Sequence, residues 1–167
     1  MPNPQKIVIN TSPLIALIAA VNDLTILQSL YSEVHVPLEV CQEILAGGTN
    51  NFAVAEFQAD TWLQKSSSIL NISPLLLNSL DRGEASVIQL ALNENIETVC
   101  IDEIVGRRIA RLSGLSVTGS IGILLRAKQK GYPLSIKTAI QKMLNRNIRL
   151  SETVINFALK QAGENPE

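Results

Sequence analysis

Carboxylates and their polar neighbours at the ends of apolar runs are the side chains best suited to chemistry in this sequence. His35 is the only histidine, which disfavours both a Cys/His zinc site and a Ser-His-Asp triad. If the protein is an enzyme, carboxylates must therefore carry the reaction. The candidates are Asn10, Glu43, Glu84, Asp102 and Glu103, with the hydroxyls of Thr118 and Ser120.

Each candidate also has a structural explanation that needs no function. Asn10, Asp102 and Ser120 each precede or open a helical pattern and could cap it. A capping box would account for Glu84, because an N-cap acid stands three residues before it. Glu43 could be an ordinary exposed helix residue. Taken one at a time, these residues do not define a site.

Short apolar runs alternate with amphipathic helical patterns along the chain. This order predicts an α/β fold, a short central parallel sheet with helices on both faces. In such sheets ligands bind outside the carboxyl ends of the strands, where most of the candidates fall. Strands are predicted at 6–10, 34–36, 69–72, 98–101 and 115–117. Helices are predicted from residue 13 onward and at 24–30, 37–45, 52–62, 83–93, 104–112, 121–130, 136–144 and 152–161.

Length and composition predict a single domain over 1–167, on which C-terminal helices at 135–162 pack. Cys41 and Cys100 lie far apart in apolar surroundings, which is typical of reduced core thiols in a cytoplasmic protein. The apolar stretch 14–21 is too short to span a bilayer, so we expect a soluble protein with no membrane partner. His35 is predicted to be inert, on the solvent face of a strand.

Charge is divided unevenly along the chain. Residues 1–106 hold 3 Lys and Arg against 12 Asp and Glu, whereas residues 107–167 hold 11 against 3. An acidic half beside a basic half suits a site that binds cations and, with them, a phosphate backbone. Solvated basic faces on the last helices would explain the same distribution. The aromatic share of 4% disfavours an RNA-binding module that stacks bases on Phe and Tyr platforms.

Five segments, taken in order, resemble the motifs of one family. The segments are IVINTSPL at 7–14, VPLEVCQEI at 36–44, GEASVIQLA at 83–91, VCIDEIVGRRIA at 99–110 and LSVTGSIGILLRAK at 115–128. The first four resemble the acidic motifs of PIN domains, and the fifth resembles one PIN-like branch of small prokaryotic proteins. The resemblance covers about residues 6–160 and implies a PIN-like three-layer fold.

The resemblance also implies a metal site, because four acidic positions hold one or two Mg²⁺ or Mn²⁺ ions in PIN domains. Carried over residue by residue, these positions are Asn10, Glu43, Glu84 and Asp102, with Glu103 as a helper. Asn10 departs from the family, which usually has Asp there, and a neutral amide oxygen is a weaker ligand for a hard cation. The hydroxyls near the site would be those of Thr11, Ser12, Thr118 and Ser120.

The activity that the resemblance implies is that of a metal-dependent endoribonuclease acting on RNA phosphodiesters. Such a nuclease could be the toxin of a toxin-antitoxin pair, in which case a small antitoxin protein would cover the site, and a homodimer is expected. Arg107 and Arg108 could contact phosphates or could instead pair with Glu103. The full set of expected phosphate contacts is Arg107, Arg108, Arg126, Lys128 and Lys130.

Two other classes of function stay open at this point. A PIN-like module that binds RNA or a protein partner without cutting would explain Asn10. A receiver-type phosphorylation domain also gathers acids at strand ends, but it needs a pair of acids after its first strand. Here that strand ends in Asn10, Thr11 and Ser12, which disfavours a receiver.

Overall fold

The computed structural model of the chain describes residues 5–47 and 51–164. Its strands are β1 (Lys6–Ile9), β2 (Glu33–Val36), β3 (Gln64–Lys65), β4 (Thr98–Cys100) and β5 (Ser116–Thr118). All of them are parallel and form one sheet in the order β3-β2-β1-β4-β5. The central strand β1 is wholly buried at Ile7, Val8 and Ile9, as its unbroken apolar run requires.

Helices surround this sheet, which confirms the predicted α/β fold with a short central parallel sheet. Those in the described residues are α1 (Thr11–Val21), α2 (Thr25–Gln28), α3 (Leu38–Ala46), α4 (Asn51–Ala59), α5 (Pro74–Ser79), α6 (Arg82–Glu94), α7 (Ile104–Leu112), α8 (Ser120–Gln129), α9 (Ile136–Asn145) and α10 (Glu152–Gln161). The short helix α5 was not predicted, and α4 ends earlier than the apolar pattern indicated.

The predicted strand at 69–72 is wrong. The sheet is instead continued by β3, in which Gln64 and Lys65 pair with residues 35–36 of β2. The backbone N–H of Leu70 donates to Oε2 of Glu39 at 3.2 Å, and Ile69 is 70% exposed. The apolar residues of that run therefore lie in a loop. The true strand escaped prediction because it is two residues long and polar.

The carboxyl ends of β1, β4 and β5 lie side by side, and we call this part of the sheet the carboxyl edge. Asn10 directly follows β1, Asp102 lies two residues after β4, and Ser120 lies two residues after β5. The adjacency arises because β1 pairs with β4 and β4 pairs with β5. Residues that are far apart in the sequence are thus brought together by the strand order.

Several smaller features bear on the sequence predictions. Cys41 and Cys100 are both buried and unpaired, which confirms that they are free core thiols. His35 is half-buried, and its Nε2 lies 3.6 Å from Oε1 of Glu33, so it is less exposed than predicted. Within the described ranges, no helix combines the length and apolarity that crossing a membrane requires.

The C-terminal segment is tied back by Glu164. Helix α9 buries Ile136, Ile140 and Met143 and packs against α1. The carboxylate of Glu164 accepts from the backbone N–H of Ile136 at 2.7 Å and from Nζ of Lys128 at 2.6 Å. Although partial burial opposes ionisation, these and neighbouring donors lower the pKa of Glu164 to about 2.

We expect Glu164→Gln to destabilise the protein at pH 7 by about 1–2 kcal/mol, allowing for partial contact with solvent. The folded pKa is depressed. The carboxylate therefore stabilises the fold above the unfolded pKa of about 4.5 and loses this effect as pH falls toward 2. Urea unfolding at pH 7 and pH 3 should show the difference between variant and native protein shrinking by more than half. An equal difference at both pH values would contradict the assignment.

Candidate active site

Asn10 and Glu43 approach each other over Gly83. Asn10 occupies the N-cap position of α1, but its side chain makes no capping hydrogen bond, so capping does not explain it. It is 4% exposed, and its Oδ1 has no hydrogen-bond partner among the described residues. The carboxylate of Glu43 lies against Gly83, and Oδ1 of Asn10 lies 3.5 Å from the position that a Gly83 Cβ would take. Two oxygens from different elements therefore converge there.

Glu43 belongs to an exposed stretch of α3, yet its carboxylate turns inward toward Gly83. Partial loss of water raises the pKa of this carboxyl, the nearby Thr11 hydroxyl partly offsets the effect, and the charge of Asp81 adds to it. The exposed-residue explanation from the sequence therefore does not describe the end of the side chain. A negative group that is held partly out of water would gain from a cation.

Glu84 is the most perturbed carboxylate of the site. Its backbone N–H donates to Oδ1 of Asp81 at 2.8 Å, which confirms the predicted N-cap. Glu84 is 8% exposed. Burial first, then the hydrogen bond and charge of Asp81 and the charges of Glu103 and Glu43, raise the pKa of Glu84 to about 7. Four acids, Glu84, Asp81, Glu103 and Glu43, are therefore close enough to influence one another.

Asp102 is positioned by Ser120. The backbone N–H of Ser120 donates to Oδ1 of Asp102 at 2.8 Å, and its hydroxyl donates to Oδ2 at 2.9 Å. Burial raises the pKa of Asp102, while these two hydrogen bonds and the Arg107 guanidinium oppose the rise. Neither residue is the N-cap of the helix that it precedes or opens, because Glu103 and Gly119 occupy the N-cap positions of α7 and α8. The predicted capping explanations therefore do not hold for them.

A glycine from another element lies beneath each carboxylate. A Cβ on Gly106 would lie 2.6 Å from Oε2 of Glu84, and a Cβ on Gly119 would lie 2.7 Å from Oδ1 of Asp102. Because Gly83 has no side chain, it likewise leaves space for the carboxylate of Glu43. These distances are too short for real carbon-oxygen contacts, so any larger residue would push the carboxylate away.

The oxygens suit a hard divalent cation in type, since Mg²⁺ is bound by carboxylate, carbonyl and water oxygens. Oδ1 of Asn10 is one of six buried side-chain atoms without a hydrogen-bond partner among the described residues, and it lies at this site beside Glu43. Among the described residues, however, no three His, Cys, Asp or Glu side chains already form a cluster that could hold a metal ion. The donors therefore share one edge of the sheet without closing into a cage.

The predicted hydroxyls divide into two groups. Thr11 lies beside Glu43, and Ser120 holds Asp102. Thr118 lies next to Gly119, and its hydroxyl is 3.4 Å from the Gly119 carbonyl. Ser12 is exposed on the outer side of α1. Three of the four are therefore near the carboxyl edge or its acids.

Of the predicted basic residues, only Arg107 lies against an acid of the site. It is half-buried beside Asp102, and its Nη1 donates to the Ile101 carbonyl at 2.9 Å. Arg108 is exposed on the same helix. Neither forms an ion pair with Glu103 or with any other residue in the described part of the chain.

The other three predicted cations lie at the far end of α8. This helix begins at the carboxyl edge and runs antiparallel to the strands. Its last turn therefore lies near the amino ends of the strands. Arg126 donates to Oε1 of Gln5, just before β1, at 2.8 Å. Lys128 is bound to Glu164, and Lys130 follows the helix. The structure does not bring these three residues to the carboxylates.

A groove opens beside Asp102, between the start of α8 and helix α10. Its volume is about 560 Å³. One side is formed by Asp102, Ile104, Arg107, residues 117–122 and Leu125, and the other by residues 148–151 and by Val154 and Phe157 of α10. Its lining combines charged side chains, Asp102, Arg107 and Arg149, with apolar ones that include Ile104, Val154 and Phe157.

Sequence reasoning did not find the three glycines, the effect of Asp81 on Glu84, or the groove. The sequence does contain one indication of such a glycine, since Gly106 interrupts a helical pattern. Glycine within a helix lowers stability by about 1 kcal/mol relative to Ala, so its presence there indicates close packing. The groove had no such signal. Its two sides come from separate stretches of the sequence, one ending at Leu125 and the other beginning at Ile148, so only the folded chain brings them together.

Comparison with protein-family models identifies the class of protein. A PIN-domain model matches residues 6–164. The chain therefore belongs to the PIN-domain family, as its motifs indicated. A search of curated proteins finds no match. PIN domains are in general nucleases and typically use divalent metal ions, so membership indicates a nuclease-type function.

We expect Glu84→Gln to remove a pH-dependent penalty from the metal-free protein. Because the folded pKa of Glu84 is raised, the native carboxyl favours folding below about pH 4.5, and this stability is lost as pH rises through 7. In EDTA, the stability of Glu84→Gln relative to native protein should therefore rise by on the order of 2 kcal/mol from pH 5 to pH 8. Glu94→Gln, an exposed change on the same helix, is the control. Parallel behaviour of the two variants would contradict the assignment.

We expect Gly106→Ala and Glu84→Ala to be strongly coupled. The new methyl group of Gly106→Ala meets Oε2 of Glu84 and, at 3.0 Å, Cγ2 of Ile101. In the native background the change should destabilise the protein despite the better helix propensity of Ala. In the Glu84→Ala background much of the clash is gone, so chemical denaturation should give a coupling energy of about 1–2 kcal/mol. Additive effects would show that the two residues do not touch.

Proposed function

We propose that the chain is a Mg²⁺- or Mn²⁺-dependent endoribonuclease of the PIN type. The observation that carries the proposal is the buried Oδ1 of Asn10, which lacks a hydrogen-bond partner in the described residues and approaches Glu43 over Gly83. A buried polar atom without a partner is costly and calls for an explanation. A cation shared with the neighbouring carboxylates supplies one.

Asn10, Glu43, Glu84 and Asp102 would hold the metal, with Glu103 close to Glu84. When bound, the ion would lower the pKa of a water molecule and stabilise the negative charge that develops on the phosphate. The chain's own contribution is to keep these side chains in position, since Ser120 orients Asp102 through two hydrogen bonds. Each carboxylate can come close because it packs over a glycine.

Arg107 supports a phosphate substrate. Its guanidinium is fixed by the Ile101 carbonyl and lies beside Asp102, so a cation is held near the acids without a carboxylate partner among the described side chains. Phosphate oxygens bind such groups through charge-assisted hydrogen bonds. The basic segment 107–167 would add a general attraction for a polyanion. RNA as the substrate is the choice that the motif resemblance favours.

The remaining parts of the proposal concern biological context. A toxin role, with a small antitoxin as partner, and a homodimer are supported by the resemblance of the motifs alone. A cytoplasmic location fits the two buried free cysteines, because unpaired thiols suit a reducing compartment.

A catalytically weakened PIN-like module that binds nucleic acid or protein is the second candidate. Two observations favour it: an amide stands at the first ligand position, and no ready-made metal cluster exists in the described residues. The variant Asn10→Asp distinguishes the active nuclease from the catalytically weakened module. If the amide disables the site, this change should raise Mn²⁺ affinity and cleavage. A native protein that already cleaves well would rule the weakened module out.

We expect Asp102→Asn and Glu84→Gln each to reduce Mn²⁺-dependent cleavage of labelled single-stranded RNA by at least about 100-fold, because each change removes a ligand charge. The initial rate on a denaturing gel is the measurement, and Glu94→Gln is the matched control. Cleavage that survives both site changes would point to a contaminant or to another site. Mn²⁺ should also raise the melting temperature of native protein more than that of either variant.

A further inference from the structure

Large apolar side chains are exposed in the groove beside Asp102. Ile104 is 81% exposed and Phe157 is 55% exposed, and both line it. Val154 of α10 lies on the same side as Phe157. Large side chains that are clustered and accessible in this way mark a binding surface more often than chance exposure does.

Positive charge lies within the same groove. Arg107 lines it on one side and Arg149 on the other. Arg149 is exposed and forms no ion pair with the described residues. Asp102 is the sole acid among the described residues that line the groove, and it stands at the end nearest the carboxylates. The groove thus joins an apolar wall to cations and leads to the proposed reaction centre.

We propose that this groove binds a nucleobase of single-stranded nucleic acid, with Phe157 as the stacking platform and Arg149 as a phosphate contact. The inference rests on the proposed function for one point only, that the scissile phosphate lies by Asp102. A base that adjoins that phosphate would enter the groove directly. A volume of about 560 Å³ has room for a nucleoside, within the roughly 300–1,000 Å³ of small-ligand pockets.

The mixed chemistry of the groove favours a nucleotide over an apolar peptide side chain. A base has an apolar face and a polar edge, and a phosphate adjoins it. The groove offers the matching set, with Phe157 for the face, hydroxyls of Thr118 and Ser151 for the edge, and arginines for the phosphate.

The test is equilibrium binding of two fluorescein-labelled probes in EDTA and low salt. One is a hexa-adenylate RNA, and the other is an abasic oligomer with the same number of phosphates. Phe157→Ala should weaken binding of the RNA at least about fivefold, the lower end of what one lost stacking contact produces. It should change binding of the abasic oligomer less than about twofold, because its phosphate contacts remain.

Two matched variants accompany this measurement. Leu75→Ala removes an equally exposed large side chain, 76% accessible, from the distant helix α5 and should leave both probes unaffected. Arg149→Ala should weaken both probes equally and reduce the salt dependence of binding by about one phosphate contact. Phe157→Trp should keep RNA affinity, and base stacking should quench the fluorescence of the new side chain.

Three results would overturn the proposal. The first is that native protein does not measurably bind the RNA. The second is that Phe157→Ala loses affinity equally for both probes, and the third is that Phe157→Ala keeps its affinity for both. A change of oligomeric state in Phe157→Ala, seen by light scattering with RNA binding intact, would assign the groove to a protein contact instead. The ribonuclease proposal fails separately, because Phe157-dependent binding can persist in a protein that cleaves nothing, and cleavage can persist without it.

Discussion

Removal of water from the carboxylates at the carboxyl edge is the constraint on which the site depends. Glu43, Glu84 and Asp102 all have raised pKa values because the fold removes water from them. The fold tolerates this crowding through backbone hydrogen bonds and through glycines that let each carboxylate pack closely. A cation at the carboxyl edge would offset the cost of ionising these carboxylates away from water, so an arrangement that is unfavourable in the metal-free protein suits a metal-dependent nuclease.

The order of the strands explains why these residues meet. Because β1 lies between β2 and β4 in a parallel sheet, the residues after β1 and β4 emerge at one edge. Helix α6 begins beside this edge and brings Glu84 and Gly83, while α3 brings Glu43 over that glycine. Fold and site are therefore consequences of one topology, and the PIN-domain membership of residues 6–164 agrees with both.

Much of this could be predicted from the sequence, and the exceptions have physical reasons. Buried strands such as β1 and β4 are unbroken apolar runs, and they place Asn10 and Asp102 correctly at strand ends. The two-residue polar strand β3 has no such pattern, so the apolar loop at 69–72 was mistaken for it. The excess of basic residues in the second half predicted that all of them contact phosphates near the acids. Helix α8 instead runs away from the acids, so Arg126 lies near Gln5 at the other end of the sheet. The hydrophobic periodicity of a helix does not predict which of its ends lies near a functional site.

The central claim is that the oxygens at the carboxyl edge form a divalent-cation site despite the amide of Asn10. A crystal of the protein soaked in Mn²⁺ and measured at the manganese absorption edge tests this claim most directly. We expect anomalous density among Asp102, Glu84 and Glu43, with Oδ1 of Asn10 turned toward it. An edge that stays empty at millimolar Mn²⁺ would contradict the claim and leave the fold serving as a binding module.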